Sequence, residues 1–117
     1  MRRDDDYLRE MLAAMEASED WLHQVGLDDD EPPEVADKAI FHARLLEDEG
    51  FLERVQPGLY RMTSKGHDFV STTRDAGVWT AARAAVGRLG GHSVTMLANV
   101  AEGLLRAKLR EVTGLDV

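Results

Sequence analysis

Along most of the chain, apolar residues recur at helical spacing; in one short block they read as strand. Tyr7, Leu8, Met11, Leu12 and Met15 recur at three- and four-residue spacing, which predicts a first helix fading near Ser18–Asp20. Asp4, Asp5 and Asp6 precede it, offering an N-cap and negative charge at the positive end of the helix dipole. Trp21-Leu22-His23-Gln24-Val25 is too short for periodicity to decide, and fits a strand, a helical extension or a packed turn. Gly26 to Pro33 breaks the pattern, because Asp28-Asp29-Asp30-Glu31 repel one another and Pro32-Pro33 cannot continue a helix. Pro33 suits the first turn of a second helix. Val35, Ala39, Ala43 and Leu46 form its predicted buried stripe, widened by Ile40, Phe41 and Leu45. Gly50 is expected to end it in a left-handed conformation, with Phe51 folding back onto it.

The block that follows is strand-like. Phe51 to Val55 and Leu59 to Met62 flank Gln56-Pro57-Gly58, a tight-turn sequence, and together predict a hairpin. Thr63 then caps a third helix running through Phe69 and Val70 towards Arg74. A fourth helix is predicted over Val78 to Arg88, stopped by Gly90-Gly91. Ser93 caps a fifth, whose apolar stripe is Val94, Leu97, Ala101, Leu104, Leu105 and Leu109. Helix, glycine, two-stranded hairpin and capped helix in that order match the latter half of a winged-helix domain, with the hairpin as wing. The expected fold is therefore mainly α: a winged helix-turn-helix-like domain over 1–76 with a small two-stranded β-wing. Additional C-terminal helices over 77–117 would pack on it or mediate dimerisation.

Composition changes this picture in two respects. At 117 residues, 44% apolar and without cysteine, the chain has enough material for a core and no thiol chemistry, disulfide or cysteine metal site. No apolar run approaches the ~18–20 residues of a membrane span, and no apolar stretch follows Met1-Arg2-Arg3, so a cytoplasmic protein without membrane contact is expected. The net charge of −8 is unevenly spread. Residues 1–37 hold three arginines against thirteen acidic residues, whereas Arg54 to Arg110 holds nine basic residues against three acidic ones. Such a balance disfavours strong nonspecific DNA binding but leaves room for a local basic face.

Specific residues carry a resemblance. Tyr60-Arg61-Met62-Thr63-Ser64-Lys65-Gly66-His67-Asp68-Phe69-Val70 stands beside Phe41-His42, Leu45-Leu46, Glu49-Gly50-Phe51-Leu52, Arg74-Asp75 and Trp79. With the Met1-Arg2-Arg3-Asp4 start, these resemble the domain-of-unknown-function family numbered 2513 over most of residues 1–110. The chain departs from that family's pattern at Ala43, at Ser64-Lys65 in place of a Trp-Glu pair, and at Ala76 in place of an acid. The resemblance implies a bacterial, phage- or prophage-associated protein with a winged-helix core and no established activity.

Catalytic chemistry is not legible. Gly87 to Gly91 lacks the spacing and lysine of a phosphate loop. His23, His42, His67 and His92 make no metal-ligand pair, and the adjacent His67 and Asp68 point different ways on a helix. His42 is expected to be structural. The acidic run 28–31 lacks the alternation of a calcium loop and reads as a solvated loop. No enzyme activity, catalytic residue, metal or cofactor is expected.

Two functions remain. A winged helix would present the helix before the wing to the DNA major groove, making Lys38, Arg44, Arg54, Gln56 and Arg61 the candidate DNA contacts of a transcription regulator. Alternatively the acidic surface, above all Asp28, Asp29, Asp30 and Glu31, would bind a host or phage protein, in the manner of an inhibitor or nucleic-acid mimic. Winged-helix regulators often dimerise through terminal helices, so the C-terminal helix is also the candidate seam of a homodimer.

Overall fold

The aspartate run starts the first helix, α1 (Asp5–Ala17): the Asp4 side chain accepts the Tyr7 N–H at 3.1 Å, and Asp5 and Asp6 occupy the first turn. Asp5 is buried and receives the Arg3 guanidinium at 2.8 Å, so it is held within the fold rather than solvated at the helix start. Leu8, Leu12 and Met15 form the buried face. The computed structural model describes residues 1–115. It divides into two compact units, Met1–Val70 and a second beginning at Ser71.

In the first unit, Leu22–Gln24 is a strand, β1. A loop through Gly26 leads to α2 (Pro33–Asp48), where Pro33 opens the helix as expected. The close of α2 is a Schellman turn. Gly50 takes φ +82°, its N–H donates to the Glu47 carbonyl at 3.0 Å, and the Phe51 N–H reaches back to Leu46 at 2.9 Å. Phe51 is thereby delivered into the core, 1% exposed, with its ring against Phe69.

β2 (Leu52–Gln56) and β3 (Leu59–Met62) form the hairpin, with Glu53 opposite Arg61 and Arg54 opposite Tyr60. Gly58 at φ +74° after Pro57 satisfies the turn, and the register shifts between Arg54 and Gln56. The sheet has three strands rather than two. β1 pairs antiparallel with β3, Leu22 opposite Arg61, giving the order β1-β3-β2. This contact spans nearly forty residues of chain, which is why local sequence left the 21–25 block open.

α2 buries His42, Ala43 and Leu46; of the expected stripe, Ala43 and Leu46 are buried, Ala39 is half-buried and Val35 is exposed. Val35 is 46% exposed and Ile40 36% exposed, because the packed side of α2 is set by its carboxy-terminal half where it meets α1 and β2. α3 (Ser64–Thr73) begins on Thr63, whose hydroxyl accepts the Gly66 N–H at 3.1 Å and donates to the Gly50 carbonyl.

The second unit holds α4 (Ala76–Gly87) and α5 (Val94–Thr113), which pack against each other. Asp75 caps α4, which starts two residues earlier than the alanine-rich pattern suggested, by accepting the Val78 N–H at 3.0 Å. The same carboxylate pairs with Lys108 of α5, and these two interactions hold it below the usual aspartate range. Ser93 caps α5 as expected. The α5 stripe is buried only through Ala101; Leu104 and Leu105 are half-buried and Leu109 is 43% exposed. A 20-residue helix outruns its 12-residue neighbour, and beyond Lys108, which meets the Asp75 cap of α4, its last residues have nothing of α4 to cover them. Among the described residues, no helix is long and apolar enough to cross a membrane.

Candidate functional site

The candidate basic residues lie on α2 and the hairpin, and carboxylates meet four of the five candidate positions. Arg44 extends from α2 to Glu47 one turn on, Nε to Oε1 3.2 Å. Arg54 approaches the same carboxylate from β2, Nε to Oε2 3.4 Å, so Glu47 is shared between helix and hairpin. Lys38 reaches Asp4 at 3.7 Å and lies over the Tyr7 ring, 4.7 Å from its centre. Arg61 grips Glu53 across the hairpin through two hydrogen bonds, at 2.9 and 3.3 Å. That pair raises the Arg61 pKa and lowers that of Glu53. Gln56 is exposed at the end of β2.

These residues do not converge on one face. Arg44 and Arg54 meet at Glu47. Glu53 and Arg61 project from the opposite side of the hairpin to Arg54 and Tyr60, since alternate strand residues face opposite ways. Lys38 belongs to the junction of α1 and α2. The exposed positions of α2 are Glu34, Val35, Asp37, Ile40, Arg44 and Asp48 among others, an acidic and apolar surface with a single arginine.

The acidic loop is well ordered by its own backbone. The Asp28 carboxylate accepts the Asp30 N–H at 2.9 Å, and the Asp28 carbonyl accepts the Glu31 N–H at 3.1 Å. Asp28, Asp29 and Asp30 are exposed and Glu31 is half-buried. Leu27 folds over Gly58, tying this loop to the hairpin turn. The Glu31 charge adds to burial in raising the Tyr7 pKa, with burial the larger cause.

His42 is fully buried and ties two elements together. Its Nε2 accepts the Asp4 N–H at 2.9 Å, and its Nδ1 sits 2.7 Å from the Lys38 carbonyl, to which it must donate. The two contacts specify a neutral imidazole with its proton on Nδ1. Tyr7 and Phe41 flank the ring at 4.6 and 5.1 Å. Helical spacing could show that His42 shared a face with Leu46, but no local signal pointed to Asp4.

A histidine pair also escaped sequence reading. His23 on β1 and His67 on α3 line a cavity of about 260 Å³ together with Asp20 and Arg61. Burial lowers the His23 pKa, the Asp20 carboxylate opposes this, and His67 lowers it further. Because the folded value lies below the unfolded one of about 6.5, His23 contributes stability at neutral pH that is lost as pH falls through that range. Urea unfolding at stepped pH should show a larger loss between neutral and mildly acidic pH for the wild type than for His23→Gln. Equal losses would remove His23 as the cause. Among the described residues, no group of three or more His, Asp or Glu is placed to hold a metal ion.

The architecture is thus a small, mainly helical protein with a three-stranded antiparallel sheet and an excess of carboxylates. Residues 2–93 match the model of the family described as "Hypothetical protein (DUF2513)", and the chain belongs to that family. No curated protein and no solved structure matches it.

Proposed function

We propose that the protein is an acidic protein-interaction module on a winged-helix-type scaffold, and that it engages a basic partner through residues 28–31 and the outer face of α2. The scaffold reading rests on the strand order β1-β3-β2 and on α2 passing through one tight turn directly into the wing. The functional reading is carried by one observation: Lys38, Arg44, Arg54 and Arg61 each meet a carboxylate, while Asp28, Asp29 and Asp30 stand exposed. Surface ion pairs are weak enough to open. Opening them, however, would still leave Glu47 beside Arg44 and Arg54, and Glu53 beside Arg61, to repel a phosphate approaching either group. A partner presenting lysine and arginine meets a complementary field instead. On the phage or prophage association that the family resemblance implies, this partner would belong to a phage or its host.

DNA binding by a transcription regulator is the second reading, favoured by the position of α2 immediately before the wing. One pair of measurements separates the two. Titration into labelled duplex DNA should give no saturable binding, even at low salt. Joint replacement D28N/D29N/D30N/E31Q should abolish capture of the partner that the wild type retains from its host's extract, with an unchanged circular dichroism spectrum. Saturable DNA binding with a steep salt slope, weakened by Arg44→Glu, would overturn the interaction reading.

Self-association belongs to the same proposal. Leu109 and Val112 are 43% and 75% exposed on the distal half of α5, one turn apart on a stripe continuous with half-buried Leu105. A second copy laying the same stripe against it would form an isologous seam. Sedimentation equilibrium should show a dimer that Leu109→Glu with Val112→Glu converts to monomer. A wild-type monomer at high concentration would remove the seam.

A further inference from the structure

We infer that the groove between α1 and β1 is a docking site for a basic amphipathic helix of a partner protein. The inference rests on the protein-interaction reading and names where that partner's apolar surface would go. The groove encloses about 900 Å³ within the first unit. Its apolar lining includes Met11, Ala14, Leu22 and Leu59, drawn from α1, β1 and β3. Met11, Leu22 and Leu59 are only half-buried and Ala14 lies on the same stretch of α1, so this surface is open to a ligand.

Charge selects the occupant. Glu10, Asp20 and Glu31 line the groove, and among the described residues no lysine or arginine does. His23, the remaining titratable base in the lining, is biased towards its neutral form by burial. An apolar floor bounded by three carboxylates complements an apolar stripe flanked by lysine or arginine. Along α1 the lining runs from Tyr7 to Ser18, about 16 Å or three helical turns at the usual rise per residue.

Topology favours a helix as the docked element. A helix-turn-helix places one helix ahead of the helix that leads into its second half. Here residues 25–32 join β1 to α2 through bends and turns instead. Gly26 and Glu31 of that connection border the groove, which therefore lies beside the stretch where a helix of the chain's own would otherwise run. A partner helix would supply the missing layer over Met11 and Ala14.

The test uses the full chain and three fluorescein-labelled helical peptides of about four turns. One is an amphipathic Leu/Lys peptide, one a Ser/Lys peptide of equal charge, and one a Leu/Glu peptide. The Leu/Lys peptide should bind alone, in one-to-one ratio, with amide shifts centred on Met11, Ala14 and Leu22. Ala14→Arg, and separately Glu10→Lys with Glu31→Lys, should each weaken it roughly ten-fold or more. The charge-reversed pair lies on the rim and keeps the test valid if Ala14→Arg fails to fold. Equal binding of Ser/Lys would overturn the groove while leaving the acidic-surface reading intact. Equal binding of Leu/Glu, or no binding of Leu/Lys, would also overturn the groove. Self-association abolished by Ala14→Arg would assign it to a second copy and overturn the partner-helix assignment. Retained Leu/Lys binding in D28N/D29N/D30N would support the groove even if capture through the acidic loop failed.

Discussion

Gly66→Ala is expected to destabilise the protein by about 3 kcal/mol, against the usual sense of a glycine-to-alanine change in a helix. Gly66 lies in the first turn of α3, and a Cβ there would fall on the backbone carbonyl oxygen of Phe51, far inside contact distance. That carbonyl cannot withdraw easily. It accepts the Thr63 N–H at 3.1 Å, and Phe51 itself is held by the Schellman turn at the end of α2 and by its buried ring. Moving α3 outward would also strain the Thr63 cap, whose hydroxyl links Gly66 to the Gly50 carbonyl. Gly103, in the middle of α5, provides the control because nothing lies within 4 Å of the place its methyl group would occupy. Gly103→Ala should follow intrinsic propensity and stabilise by up to about 1 kcal/mol. Thermal unfolding of both variants reads the difference directly, with a fall of roughly 10 °C expected for Gly66→Ala. A Gly66→Ala variant stabilised as Gly103→Ala is would show that the Phe51 carbonyl yields.

What the sequence made legible follows the range of the interactions involved. The caps at Asp4, Thr63 and Ser93, the left-handed Gly50 and the Pro57-Gly58 turn each depend on a few neighbouring residues, and all were readable. The strand status of Leu22–Gln24 was not, because its partner is β3 and its own composition is neutral between strand and turn. Val35 misled because a 3.6-residue period fixes a face without saying how far along the helix that face stays covered. Leu109 continues the α5 stripe but is exposed, as the same rule allows. Asp75 was legible as part of a resemblance, but its role as the cap of α4 was not.

The candidate site divides similarly. Sequence could name Lys38, Arg44, Arg54 and Arg61 as cations near a wing. It could not show that Glu47 reaches two of them or that Glu53 faces Arg61 across a hairpin. Those pairings alter the argument from a basic face to a largely compensated one, with the loop at 28–30 outside the compensation. The groove was invisible for a different reason: its floor is assembled from α1, β1 and β3, and its rim from residues at 10, 20 and 31. No periodicity joins them.

His42→Ala is expected to cost about 3 kcal/mol, combining a cavity at a fully buried ring with loss of the acceptor for the Asp4 N–H. Asp4 is the N-cap of α1, and its backbone donor is fixed by His42 while its side chain caps Tyr7 and pairs with Lys38. Removing the imidazole therefore loosens the start of α1 against α2 as well as the core beneath Tyr7 and Phe41. The two contributions can be separated. His42→Leu restores most of the lost volume but supplies neither an acceptor to Asp4 nor a donor to Lys38, so it should fall between wild type and alanine. Chemical denaturation of the three proteins with matched slopes gives both differences. The gap from leucine to alanine measures packing, and the gap from wild type to leucine measures the polar tie, expected at about 1–2 kcal/mol. A leucine variant as stable as wild type would mean that water satisfies the Asp4 N–H and that packing alone joins the two helices here.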